Sequence, residues 1–295
     1  MEHTVKEWFG ATRYWSFPVS AMPVVATTAF LAWKCYDISW LCAALALIGN
    51  VIFHAAGNLL SDWWDYRRGV DNERAYAVPN LVFHHFEPRE YLSFSAMLFS
   101  AGIVVGIVLT LMSGWQLLVI GAVGFVLAAN YSFFKFHALG DIFVFVCFAV
   151  LPVIGTSFVE TGIIDWSALA LSLPLGIFTI AVLHDNNTVD ITTDKESGIR
   201  TFPMFIGEKP SVVLYMAYIV IPYLAAAAFT VAGMLPPASL FCFLSVPVAY
   251  KILKQAYGYF EKGRVAMLGL DQKTAQLHLV FSVLLSAGLA VSAIF

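Results

Sequence analysis

Nine stretches of about 20 mostly apolar residues, the length that carries a helix across a bilayer, dominate the chain, at approximately 16–34, 39–61, 92–112, 115–133, 141–159, 166–186, 211–232, 236–256 and 276–295. A water-soluble domain has too little interior for so many. The composition agrees: 60% of the 295 residues are hydrophobic and 12% are charged, against about a quarter charged in soluble proteins. Most of the stretches are rich in Ala, Leu, Val and Phe and lack the strict alternation of barrel strands. Their backbone groups must therefore be satisfied within helices. The pattern predicts an all-α membrane protein, a bundle of nine transmembrane helices forming a single domain over 16–295. The segments 61–91, 187–210 and 257–275 hold nearly all the charge and form a short helical or loop cap. Residues 1–15, MEHTVKEWFGATRYW, mix charges with aromatics and have no cleavage-site pattern. They are expected to lie in the membrane interface, with Trp8, Phe9, Tyr14 and Trp15 at headgroup depth.

Charge supplies orientation. With nine spans, the N-terminus and every second connection share one face. That face receives all of the 16 Lys and Arg residues except Lys34, which the positive-inside rule assigns to the cytoplasm. In a bacterium this is the inner (plasma) membrane. A net charge of −3 and the lack of a basic cluster give no field for nucleic acid. The four cysteines, without CxxC spacing, read as small buried hydrophobes rather than a disulfide or zinc framework.

Two acidic motifs stand where spans leave the bilayer on that same face. Span 2 runs into Asn58-Leu-Leu-Ser-Asp62-Trp-Trp-Asp65, and span 6 into Asn186-Asn187-Thr-Val-Asp190-Ile-Thr-Thr-Asp194. Residues three or four apart share a helix face, so Asn58, Asp62 and Asp65 point one way, as do Asn186, Asp190 and Asp194. Two such oxygen-rich faces, opposed across a bundle, suit Mg²⁺ and a diphosphate. Solvated helix ends are the plainer account of one motif; two matched motifs beside membrane spans favour function. Arg67, Arg68, Lys135, Lys195 and Arg200 sit nearby, placed for phosphate oxygens or by the positive-inside bias alone. Gly69 and Gly198 follow the motifs as helix-ending glycines do. His54 and His184 read as packing or hydrogen-bonding residues, and His84 and His85 as exposed loop residues. Pro152, Pro174 and Pro222 mark kinks.

Asn58-x3-Asp62-x2-Asp65-Tyr66-x2-Gly69-Val70-Asp71 and Asp190-x3-Asp194-Lys195-x2-Gly198 resemble the two signatures of the UbiA superfamily of intramembrane prenyltransferases. Lys135-Phe-His137-Ala-Leu-Gly140-Asp141 is similar to a third family stretch. Asp65-Tyr-x-x-Gly-Val-Asp71 and Leu139-Gly-Asp141 are most similar to the menaquinone branch, which prenylates 1,4-dihydroxy-2-naphthoate. In two places the chain departs from the family. Val78-Pro-Asn-Leu-Val82 replaces a usual Asp-Arg pair, and Val189 stands for an Arg. The resemblance implies Mg²⁺ held by Asp62, Asp65, Asp190 and Asp194. It implies a polyprenyl diphosphate bound by Asn58, Arg67, Lys135, Asn187, Lys195 and Arg200, and catalytic roles for Asp65, Asp71 and Lys195. Its partners are that diphosphate, a small aromatic acceptor and the lipid bilayer. Other acceptors (4-hydroxybenzoate, haem or a chlorophyll precursor) stay open, as does an ion- or proton-coupled transporter, which would place its carboxylates nearer mid-span.

Overall fold

The computed structural model describes residues 3–70, 80–130, 134 and 137–294, and all regular structure among them is helical. Helix α1 (Val5–Ala11) opens on a capping box in which Thr4 and Glu7 satisfy each other's backbone amides. It is followed by α2 (Pro18–Trp33), α3 (Trp40–Arg67), α4 (Pro88–Ser113), α5 (Gln116–Ala129), α6 (Gly140–Thr161) and α7 (Trp166–Val189). Two short helices, α8 (Ile191–Glu196) and α9 (Phe202–Ile206), lead to α10 (Glu208–Val231), α11 (Val246–Tyr257) and α12 (Leu270–Ile294).

Eight helical segments among the described residues are long and apolar enough to cross a membrane, one fewer than the sequence pattern predicts. The exception is the expected span at 115–133. There α5 has 14 residues, short of the roughly 20 needed to cross. Its last helical residue among those described is Ala129. Residues 131–133 lie outside the described residues. The expected second span, by contrast, runs on: α3 has 28 residues, about 42 Å at 1.5 Å per residue. That extra length carries Asn58, Asp62 and Asp65 on the same continuous helix.

The helices form one layered bundle. α2 packs against α3, α6 and α12, while α7 packs against α6, α10 and α12. Burial ranks them: 67% of the apolar window of α7 is buried and only 17% of that of α4. Thus α7, which carries the second acidic motif, runs through the interior, while α4 turns most of its surface outward. Around α7 the core is aromatic, with the Phe281 ring 5.1 Å from both Phe178 and Tyr223. The prolines sit beside local irregularities: a π-helical turn at Val146–Val150 precedes Pro152, and a 3₁₀ opening at Trp166–Leu171 precedes Pro174. Buried polar bonds pin the interior helices, among them Tyr215 to Thr274 and Tyr223 to Ser245, each 2.6 Å.

The N-terminal segment does more than lie flat on the surface. Phe9 and Tyr14 are exposed and stacked on each other. Trp8, in contrast, packs against Phe86 and Phe94 at 4.7 and 4.6 Å, and Ala11 joins a small core with Leu59 and Tyr91. The segment is thereby docked on the ends of α3 and α4.

Candidate active site

The two acidic motifs end in the same way. After Asp65, the Val70 amide donates to the Asp65 carbonyl (2.9 Å) and the Gly69 amide to the Tyr66 carbonyl (3.1 Å). After Asp194, the Ile199 amide donates to the Asp194 carbonyl (2.9 Å) and the Gly198 amide to the Lys195 carbonyl (3.2 Å). Both are Schellman caps, and each needs the left-handed backbone that Gly69 (φ 68°) and Gly198 (φ 74°) supply. In each case the motif's last aspartate stands three residues before the cap and is buried, Asp65 at 5% and Asp194 at 4% exposure. The two caps touch: the Ser197 hydroxyl donates to the Gly69 carbonyl at 3.4 Å. Two signatures far apart in sequence therefore meet at one end of the bundle.

Two residues of the first motif, and His54 one turn before it, are held from outside α3. The Asn58 amide nitrogen donates to the Thr12 carbonyl at 2.9 Å and to the Ser16 hydroxyl at 3.3 Å. One turn earlier, His54 is buried between the Ser16 and Ser20 hydroxyls, a hydrogen-bonding role as the sequence suggests. Arg13 adopts the left-handed backbone (φ 55°) and donates to an Asp62 oxygen at 2.5 Å. An arginine at hydrogen-bonding distance offsets the desolvation of a half-buried carboxylate. The sequence reading treated Arg13 only as a topological charge.

The second motif sits on a break. Helix α7 stops at Asp190, whose φ and ψ (−90°, 8°) leave the helical region, and α8 restarts at Ile191. The backbone ladder still runs through the break, with the Asp190 amide donating to Asn186 and the Asp194 amide to Asp190. Asn187 is buried and Asn186 and Asp190 are half-buried. Arg264 braces the region, bonding to the Thr192 hydroxyl at 2.6 Å and pairing with Glu208 at the start of α10. Behind the motif lie two further acids that the sequence reading passed over. Asp185 is fully buried and Asp271 is buried at 5%. Asp271 feels the charges of both Arg13 and Asp190, which places the two motifs, the N-terminal segment and the start of α12 in one electrostatic neighbourhood. Asp141, from the third stretch, lies 3.7 Å from the His184 ring. On its other side that ring bonds to the Ser211 carbonyl at 3.0 Å.

The expected cationic residues divide. Lys195 and Arg200 are exposed beside the second cap, and Arg67 is exposed with its guanidinium 5.1 Å from the Trp63 ring, a cation–π contact. Asp71 and Lys135 lie outside the described residues. Among the described residues no three His, Cys, Asp or Glu side chains converge closely enough to hold an ion by themselves. The donors of the two motifs are instead all hard oxygens, the set that binds Mg²⁺ through one or two carboxylates completed by substrate phosphate and water.

A family model for the UbiA prenyltransferase family matches residues 20–268. The chain belongs to this family. Its prenyltransferase relatives include UbiA prenyltransferase domain-containing protein 1 of Ailuropoda melanoleuca, 30% identical over 96% of this chain and 83% of that one. Another is the 1,4-dihydroxy-2-naphthoate octaprenyltransferase of Bacillus subtilis (strain 168), 26% identical over 95% and 91%. Two solved structures share the fold. The apo UbiA homologue of Aeropyrum pernix K1 has a TM-score of 0.69 at 17% identity, over 95% of this chain and 98% of that one. A UbiA homologue of Archaeoglobus fulgidus bound to DMAPP and Mg²⁺ has a TM-score of 0.57 at 13% identity, over 95% and 99%. This UbiA-family prenyltransferase is therefore an integral membrane enzyme with its two signature motifs at one end of its bundle.

Proposed function

We propose that this enzyme transfers a polyprenyl group from an allylic polyprenyl diphosphate to 1,4-dihydroxy-2-naphthoate, the prenylation step of menaquinone formation. The observation that carries the reading is the meeting of the two Schellman-capped acidic motifs through Ser197 and Gly69. The donor set fits Mg²⁺, which when bound neutralises the diphosphate and makes it a better leaving group. Asp62, Asp65, Asp190 and Asp194 hold the metal, as the donor chemistry supports and as a fold relative carries Mg²⁺ with a prenyl diphosphate. Asn58 and Asn187 flank the diphosphate. Arg67, Lys135, Lys195 and Arg200 surround it with positive charge, and Lys195 stabilises it as it departs. Asp71 orients the acceptor. Arg13 joins them from the N-terminal segment. Its guanidinium holds Asp62 and, with Mg²⁺ at that carboxylate, would be available to phosphate oxygens, a bidentate task suited to arginine. The allylic carbon loses diphosphate, the electron-rich ring attacks it, and the ring regains aromaticity as its carboxyl group leaves as CO₂, while the apolar bundle excludes water.

The naphthoate acceptor is supported by the Bacillus relative and by the Asp65-to-Asp71 and Leu139-Gly-Asp141 patterns. The cytoplasmic placement of motifs and N-terminus rests on the distribution of Lys and Arg. In a bacterial cell the enzyme would sit in the inner membrane.

The test uses purified enzyme in detergent with Mg²⁺, radiolabelled polyprenyl diphosphate and either 1,4-dihydroxy-2-naphthoate or 4-hydroxybenzoate. A labelled, organic-extractable naphthoate adduct, abolished by EDTA, is the expected result. Product with the benzoate alone overturns the acceptor and keeps the chemistry. Absence of product and of metal-dependent diphosphate binding overturns both.

A further inference from the structure

A groove of about 370 Å³ runs between α1 and the start of α4, lined by Trp8, Arg89, Glu90, Ser93, Phe94 and Met97. Its chemistry is graded along its length. At the start of α4 stand Arg89 and Ser93, both exposed. The two acids beside Arg89 are already engaged. The Glu90 carboxylate accepts from the Glu87 amide at 2.7 Å and meets His3 at 3.1 Å, and the Glu87 carboxylate accepts from the Glu90 amide. Among the described residues no carboxylate pairs with Arg89. Its charge also sits in the first turn of a helix, where the backbone dipole is positive. An anion from outside the chain stabilises a cation in that position.

Further along α4 the groove turns apolar. Trp8 and Phe94, with ring centroids 4.6 Å apart, are each half-buried, and Met97 is 58% exposed. Met97 begins an outward row on α4, because Val104 and Leu111 follow it at seven-residue intervals and are exposed as well. This is the surface that α4, whose apolar window is only 17% buried, turns toward the bilayer. The rise from Ser93 to Val104, about 16 Å at 1.5 Å per residue, matches one leaflet's share of the hydrocarbon core, about 15 Å. Tryptophan at the polar end is in keeping with headgroup depth. A free guanidinium above a leaflet-long apolar row fits an amphiphile with a phosphate head and an acyl chain. A choline or ethanolamine head brings its own cation beside the phosphate, which opposes Arg89, so a lipid of net negative charge is the better match.

We propose that this groove binds one anionic membrane phospholipid, with its phosphate at Arg89 and Ser93 and an acyl chain along Phe94, Met97 and Val104 beside Trp8. Trp8 belongs to the segment that carries Arg13 to Asp62, so the lipid also seals that segment to α4. The test reads lipid binding directly and does not depend on prenyl transfer. Purified enzyme in detergent is titrated with dioleoylphosphatidylglycerol or dioleoylphosphatidylcholine, and the first lipid bound is followed by native mass spectrometry. Wild type, Arg89→Gln and Lys251→Gln are compared, the last removing an exposed charge elsewhere. Arg89→Gln is expected to bind phosphatidylglycerol about tenfold more weakly, the loss of a hydrogen bond between charged groups. Lys251→Gln binds it as wild type does, and phosphatidylcholine binds wild type more weakly than phosphatidylglycerol. Equal binding of the two lipids, or equal weakening by the two substitutions, overturns the proposal. Release of the Arg89-dependent lipid by geranyl diphosphate overturns it as well, since the groove would then belong to a prenyl diphosphate.

Discussion

The end of α3 and the α7–α8 junction carry similar acidic motifs, each closed by a glycine cap, yet they are built differently. At the first, the helix is unbroken, Asp62 is paired with Arg13, and Asn58 is tied to the N-terminal segment. At the second, the helix breaks at Asp190, and buried acids stand behind it in Asp185 and Asp271. The first motif has a cation in place within the protein. Around the second, further acidic side chains are buried in the interior, where a charge without compensation would be costly. The pair thus forms two acidic jaws, the first of which is braced by an arginine of the N-terminal segment.

The comparison breaks first at the aspartates. If both jaws hold metal, Asp62→Ala and Asp190→Ala each lower kcat by about 10²–10³-fold, the range for losing one preorganised electrostatic group, in the prenyl-transfer assay with saturating Mg²⁺. A large loss from one variant only would mean that the jaws are not equivalent. Arg13→Ala comes next, with an expected loss of about tenfold to a hundredfold in kcat/KM for the diphosphate. Arg13→Lys is only partly rescued, because an ammonium lacks the forked geometry. An Arg13→Ala enzyme with an unchanged diphosphate KM would make this residue a structural partner of Asp62 alone.

Stability probes the jaws further. Asp185→Asn replaces a fully buried acid by a neutral side chain of the same shape, and is expected to leave stability within about 1 kcal/mol, read as an unchanged Tm in detergent. A lower Tm would show that the carboxylate is compensated where it lies. Small effects are also expected at the caps. Gly69→Ala and Gly198→Ala each cost about 1 kcal/mol through the left-handed backbone alone, since an added Cβ meets no atom within 4 Å at either glycine. Equal losses would establish that the two caps share one design at the level of energy as well as geometry.

Much of the site was legible in the sequence because it is local. Asn58, Asp62 and Asp65 fall at helical spacing, and Gly69 and Gly198 stand at the one cap position where glycine is needed. Length and hydropathy were nearly sufficient for the spans; at 115–133 the described helix α5 is shorter than a span, and residues 131–133 lie outside the described residues. Arg13 was not legible as a site residue. Its partner is 49 residues away, and as a bare charge near the N-terminus it looks like any topological arginine. Asp185 and Asp271 were hidden for the same reason, since an acid near a helix end reads as solvated until the packing of α7 and α12 shows it buried.

By itself, the sequence determined that this protein lives in a membrane as a helical bundle and that it carries two matched acidic motifs at helix ends. Both follow from short-range rules of hydrophobic length, helical period and capping. The tertiary structure decided that the two ends touch, that the first is paired with an arginine of the N-terminal segment, and that Asp185 and Asp271 are buried near the second. Those outcomes depend on docking α1, α7 and α12 against one another. Electrostatic interactions follow distance in space, and chain separation carries no information about it.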